Sequence, residues 1–173
     1  MIGSVPDSHV FRDIAVFTAA PIRERSLTVD NTKFVLRKTS ERLLFGLRAV
    51  WRKSVKVQVS DPTRTLVDIL DDPRWGGGIR HVTQVLHAYL ASEHRDEASL
   101  LQYIRRLGNA AAAKRLGYLL EAIFEREAGA PLLAELQGMV TPGYALLDPT
   151  VAPRGRFVAK WNLRANVAVG RHD

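Results

Sequence analysis

The chain has 173 residues, 46% of them hydrophobic and 25% charged, and no cysteine. That is ordinary globular usage, enough for one sizeable core or two small ones, and it excludes disulfide staples and thiolate zinc sites, so stability must come from packing in what reads as a reducing cytoplasm. No apolar run reaches the roughly 18 to 20 residues that span a bilayer, MIGSVPDSHVF at the start lacks the pattern of a signal peptide, and the net charge is +7.

The charge is uneven. Residues 1–56 hold eleven Lys/Arg against five Asp/Glu, whereas residues 57–173 hold fourteen against thirteen. A basic first third attracts phosphate polymers or an acidic protein surface. A solvated sheet face rich in Lys and Arg accounts for it equally well.

Up to about residue 60 the apolar period is two, the mark of half-buried strands. Ile14 to Phe17 reads as a strand, and 25–29 and 33–38 form a hairpin around Asp30-Asn31, residue types that tolerate tight turns. Ser40 is placed to cap a short helix through Leu43 and Leu44, and Val55, Val57 and Val59 alternate with Lys56 and Gln58. The period changes at Asp61-Pro62, because Asp caps helices and Pro is tolerated at their first position. The first helix carries Leu66, Ile69 and Leu70 and stops at Asp72-Pro73. Gly76-Gly77-Gly78 reads as a flexible joint before a helix with Ile79, Val82, Val85, Leu86, Tyr89 and Leu90 on one stripe. A third helix, with Leu100, Leu101, Ile104 and Leu107, ends at Gly108. A fourth runs over 110–127 with Leu116, Leu119, Leu120, Ile123 and Phe124 inward and Glu121 and Glu125 outward, and 131–139 adds a fifth. Beyond Thr141-Pro142-Gly143, residues 145–147 and 157–161 read as strands returning to the sheet. The fold class is therefore α+β: a β-rich part (1–60), a bundle of four to five helices (61–140), and C-terminal strands and tail (141–173), expected to form one folded unit.

No set of residues supplies nucleophile, base and stabiliser together, so an enzyme is not expected, nor is a cofactor or metal. Gly3-Ser4 resembles the opening of a nucleotidyltransferase site, but Asp7 and Asp13 stand alone where an Asp-x-Asp pair is needed. Asp61, Asp68, Asp71 and Asp72 crowd one helix, where a metal or acid-base role competes with a cap and an exposed acidic end. His9, His81, His87, His94 and His172 show no ligand spacing. The glycine triplet before a helix could hold an anion, yet no Gly-Lys-Ser/Thr follows and Trp75 fills the approach, which favours a turning role. Lys114-Arg115 and Arg105-Arg106 offer either cationic patches or solvated helix faces.

Five phrases together resemble the C-terminal domain of the AbiE-type (abortive-infection) antitoxins. They are Val57-Gln58-Val59-Ser60-Asp61-Pro62 running on to Asp68, Trp75-Gly76-Gly77-Gly78, the stretch from Asn109 through Lys114-Arg115-Leu116-Gly117-Tyr118-Leu119-Leu120-Glu121, Leu147-Asp148-Pro149, and Trp161-Asn162-Leu163-Arg164-Ala165-Asn166-Val167. The resemblance covers roughly residues 25–168 and rests on order and spacing. It implies a bacterial antitoxin that neutralises a nucleotidyltransferase-fold toxin, often one acting on RNA. Neutralisation would come by binding the toxin or by acting on its substrate, as the family's type IV label assumes. Many members carry an N-terminal winged helix-turn-helix, and residues 1–40 read instead as strands and turns, so no recognition helix is assignable. The alternative is a nucleic-acid-binding regulator of its own operon that contacts phosphate through Arg23, Arg25, Lys33, Arg37, Lys38, Arg48, Arg52 and Lys53, which gives affinity without sequence information. On either reading these eight, with Arg105, Arg106, Lys114 and Arg115, are the candidate contact residues; no membrane partner is expected.

Overall fold

The structure, a computed structural model, describes residues 13–124 and 129–170. Gly3-Ser4, Asp7, His9, Glu125 and His172 lie outside them. The architecture is α+β, with strands first, then five helices, then short strands that form a sheet. The chain divides into two compact units, with the boundary between Leu44 and Phe45.

The first unit holds β1 (Asp13–Thr18), β2 (Ser26–Val29) and β3 (Thr32–Lys38), in the order β1-β3-β2. β2 and β3 are antiparallel, and both turn residues between them are left-handed, Asp30 at φ 46° and Asn31 at φ 62°. Two successive left-handed residues give the twist a tight hairpin needs, and Asp and Asn adopt it at little cost. β1 runs parallel to β3 and sets Asp13 opposite Lys33, whose ammonium meets the carboxylate at 2.9 Å. A 3-10 turn follows at Glu41–Leu43. Ser40 does not cap it through its side chain, because so short a turn is closed by backbone bonds from Leu43 to Ser40 and from Leu44 to Glu41.

The second unit opens with a hairpin of β4 (Leu47–Arg52) and β5 (Val55–Ser60). α1 (Pro62–Asp71) starts at the Asp61 cap, whose carboxylate accepts from the Arg64 N–H at 2.7 Å, and it stops before Pro73. α2 (Ile79–Leu90), α3 (Glu97–Leu107), α4 (Ala110–Ile123) and α5 (Ala130–Gly138) follow. Asp96 caps α3, Gly108 ends it at φ 75°, and Asn109 caps α4. The core lies between α1, α2 and α4, with Leu66, Val67, Leu70, Ile79, Val82, Leu86, Leu116, Leu119 and Leu120 buried in one cluster. α4 is enclosed on all sides from Ala112 to Leu120, the condition of a central helix rather than a surface one.

β6 (Ala145–Leu146), β7 (Arg156–Val158) and β8 (Leu163–Ala165) do not return to the earlier strands, as expected, but form their own small sheet, β6-β8-β7. A 3-10 turn at Ala159–Trp161 between β7 and β8 sends Trp161 into the core, where it is fully buried. Its ring rests on Gly117, where a Cβ atom would stand 2.1 Å from it. Glu121 accepts the indole N–H at 2.7 Å.

Gly to Ala inside a helix ordinarily stabilises by about 1 kcal/mol. Gly117→Ala should do the opposite, costing about 1–3 kcal/mol or more in urea unfolding, because rigid ring and backbone must part. Leu66→Ala, at the floor of the core, should cost about 2–5 kcal/mol. A stabilised Gly117→Ala protein would remove Trp161 from its assigned seat.

Candidate functional site

The β4–β5 hairpin is an open feature of the second unit. Its register runs from Leu47 opposite Ser60 to Arg52 opposite Val55, closed by Lys53-Ser54 with Lys53 left-handed at φ 55°. Strand alternation puts Leu47, Ala49 and Trp51 on one face with Ser60, Gln58 and Lys56, and Arg48, Val50 and Arg52 on the other with Val59, Val57 and Val55. Towards the tip both faces are open: Trp51 is 66% exposed and Val55 60%. Arg48, Arg52, Lys53 and Lys56 supply four cations, and the segment 47–60 contains no carboxylate. Among the described residues none of the four enters an ion pair.

A two-stranded hairpin alone is marginal in water, so its root must be held. Phe45, buried, lies between the guanidinium groups of Arg64 at 3.9 Å and Arg106 at 4.3 Å, with Tyr103 edge-on at 5.3 Å. Gly46 at φ 63° passes so close to Arg64 and Tyr103 that a Cβ atom would stand 2.8 and 2.9 Å from them. Asp61 then joins root to bundle: its N–H donates to the Gly46 carbonyl at 2.8 Å, and its carboxylate accepts the Tyr103 hydroxyl at 2.9 Å. Where the hairpin meets α1 and α2, an open groove of about 330 Å³ is lined by Arg48, Ser60, Pro62, Thr65, Tyr89 and Ser92 among others.

The remaining candidate cations do not gather there. Arg23, Arg25, Lys33, Arg37 and Lys38 are exposed on the first unit, with Lys33 and Arg37 on one face of β3, Lys38 on the other, and Lys33 paired to Asp13. Arg105 pairs with Glu135, and Arg106 covers Phe45. Lys114 and Arg115 are not a surface patch at all; both are buried. Lys114 donates to the Gly143 carbonyl at 2.8 Å, and burial pushes its pKa down. Arg115 spends its donors on the carbonyls of Leu70 (2.8 Å), Asp71 (2.5 Å), Leu146 (3.0 Å) and Leu147 (3.2 Å).

The glycine triplet is a built turn rather than a flexible joint. Pro73–Gly76 form a 3-10 turn, and Gly77 and Gly78 follow at φ 73° and 97°. The α2 N-terminus that could hold an anion already holds one of the chain's own, since Asp148 accepts from the Ile79 N–H at 2.8 Å. Three of the four clustered aspartates are likewise engaged: Asp61 caps α1, Asp68 pairs with Arg64 at 2.9 Å, and Asp72 takes Arg74 through both oxygens. Among the described residues no cluster of three or more His, Asp or Glu could hold a metal ion. His87 stacks on Phe124, and His81 bonds Gln84. Sequence reasoning missed Trp51 and all of β4; Val50-Trp51, an adjacent β-branched and aromatic pair of the kind enriched in strands, was the local signal.

Compared with known proteins, the chain matches no family model, no curated protein and no solved structure.

Asp71 carries a pH dependence. Desolvation raises its pKa from 3.8 to about 6, against the attraction of Arg115, and its Oδ1 has no hydrogen-bond partner. A carboxyl that holds its proton more tightly when folded makes the folded state less stable as pH rises from about 4 to about 6, and the loss persists above. Asp71→Asn should therefore raise the melting temperature relative to the parent at pH 7 and lose that advantage near pH 4. A difference constant across this range would show that Asp71 does not titrate late.

Proposed function

We propose that this chain is the antitoxin of a bacterial toxin-antitoxin pair, acting in the cytoplasm to neutralise a cognate nucleotidyltransferase-fold toxin stoichiometrically rather than by turnover. One observation carries the reading: the phrases that resemble the AbiE-type antitoxins are the parts of the second unit that hold one another. Asp61 roots the hairpin and caps α1; Trp75-Gly76-Gly77-Gly78 shapes the turn into α2; Gly117 seats Trp161; Arg115 gathers the carbonyls of α1 and β6; Asp148 caps α2. Asn166 in turn donates to the Asp148 carbonyl at 2.7 Å and accepts from its N–H at 3.0 Å. Scattered residues tied into one set of contacts support a shared fold more strongly than the same residues would as isolated matches. Function follows fold only by analogy here, so an experiment on the activity itself decides.

Expressing the product of the neighbouring reading frame should arrest growth, and co-expressing this chain should restore it at amounts comparable with the toxin. Charge reversal separates the two units: Arg37→Glu with Lys38→Glu in one variant, Arg52→Glu with Lys53→Glu in another. All four side chains are exposed, so circular dichroism should not change, and the variant that loses rescue marks the contacting unit. Rescue that survives both reversals directs attention to Arg105 and Arg106. A folded, well-expressed parent chain that fails to rescue overturns the antitoxin reading.

A further inference from the structure

We infer that the β4–β5 hairpin is a binding arm for single-stranded nucleic acid, on which a base stacks against Trp51 while Arg48, Arg52, Lys53 and Lys56 take the phosphates. The inference stands on the hairpin's own chemistry and not on the antitoxin reading.

Three observations meet at this element. First, Trp51 sits in the strand nearest the tip with two-thirds of its surface open. An indole so placed gives up the stabilisation that burial would bring and exposes a flat π face, which suits a partner with flat apolar faces of its own. Second, the four cations lie on both faces and in the turn, with no carboxylate in the segment. A backbone of regularly spaced phosphates meets that distribution, and aromatic faces interleaved with cations are how single strands are held without reading sequence. Third, Gln58 shares the Trp51 face, directly across from Ala49 and beside Lys56, so an amide that can donate and accept lies next to the stacking position. In a duplex the base faces are stacked on each other and unavailable to Trp51, so the arm selects unpaired strands. Phosphates and base faces are common to RNA and DNA, and both sugars should be accepted.

The experiment uses the full chain and fluorescein-labelled 12-nucleotide oligo(U), oligo(dT) and a mixed-sequence duplex, read by fluorescence anisotropy. Oligo(U) and oligo(dT) should bind within a few-fold of each other, and the duplex more weakly. Four phosphate contacts on a single strand make affinity fall roughly fiftyfold between 50 and 200 mM salt. Trp51→Ala should weaken binding about tenfold and Trp51→Phe by much less, since one stacked base is lost in the first and kept in the second. Arg52→Gln with Lys53→Gln should weaken binding and flatten the salt dependence. Photocrosslinking with 5-iodouracil oligonucleotide should place the adduct on Trp51, a result that a merely structural role for the ring would not give.

No binding by the parent protein at 50 mM salt overturns the inference, as does binding indifferent to Trp51→Ala, or a preference for duplex. A parent that ignores oligonucleotides but loses toxin neutralisation on Trp51→Ala would make the arm a protein contact instead. One that binds anionic vesicles alone would make it a membrane contact. The binding assay contains no toxin, so its failure leaves the antitoxin proposal standing, and failed growth rescue leaves the oligonucleotide result standing.

Discussion

The buried guanidinium of Arg115 is the constraint around which the second unit is arranged. It is the point where the end of α1, the middle of α4 and the start of the C-terminal sheet coincide, because four backbone carbonyls converge there on one side chain. Burying a charge costs several kcal/mol, and desolvation lowers the Arg115 pKa accordingly, while Asp71, Asp72 and Asp148 oppose that shift. The carbonyls ending α1 form the negative pole of that helix and suit a cation. What the arrangement brings is direction. Leucine would fill the space in several registers, whereas a planar fork of donors fits one placement of α1 against α4 and β6.

The same logic repeats at the start of α2. Gly78, left-handed, has no side chain to cap the helix, and the missing acceptor comes from Asp148, distant in sequence but adjacent in space. Asp148 is fixed by Thr150, which donates its N–H at 2.8 Å and its hydroxyl at 2.6 Å to the carboxylate, and by the two bonds its backbone exchanges with the Asn166 amide. Burial raises the pKa of its carboxylate, but the bonds from Thr150 and the Ile79 N–H, with the charge of Arg115, outweigh it and lower the pKa below its ordinary value. The short C-terminal strands, too small to be stable alone, are thereby made part of the bundle's own capping.

How much of this was legible in the sequence depended on whether the determining contact was local. The α1 boundaries, the Gly108 stop and the Asp30-Asn31 turn follow from neighbouring residues and were readable. Lys114 and Arg115 were misplaced because two adjacent cations ordinarily mark solvent. The corrective signal lay around them: 110–113 and 116–120 contain no charged residue, so the stretch of α4 that carries them reads as enclosed rather than as a solvated face. The separate C-terminal sheet and the cap from Asp148 depend on partners tens of residues away, and no periodicity reports those. β4 was hidden by its cations, which fall where a half-buried strand would carry apolar residues.

That misfit also separates what stabilises the hairpin from what it presents. Its root is held by Phe45, Gly46 and Asp61 against α1 and α3, so the strands leave the bundle at a defined angle without relying on their own side chains. Beyond the root, Trp51, Val55 and Val57 add nothing to the core, and their exposure leaves apolar area in water that a self-contained fold would bury. Substitutions at the tip therefore act on contacts outside the chain, whereas substitutions at the root act on folding. An element with a rigid root and an unsatisfied tip is suited to engaging a partner without prior ordering, because the conformational entropy of the strands has already been lost on folding.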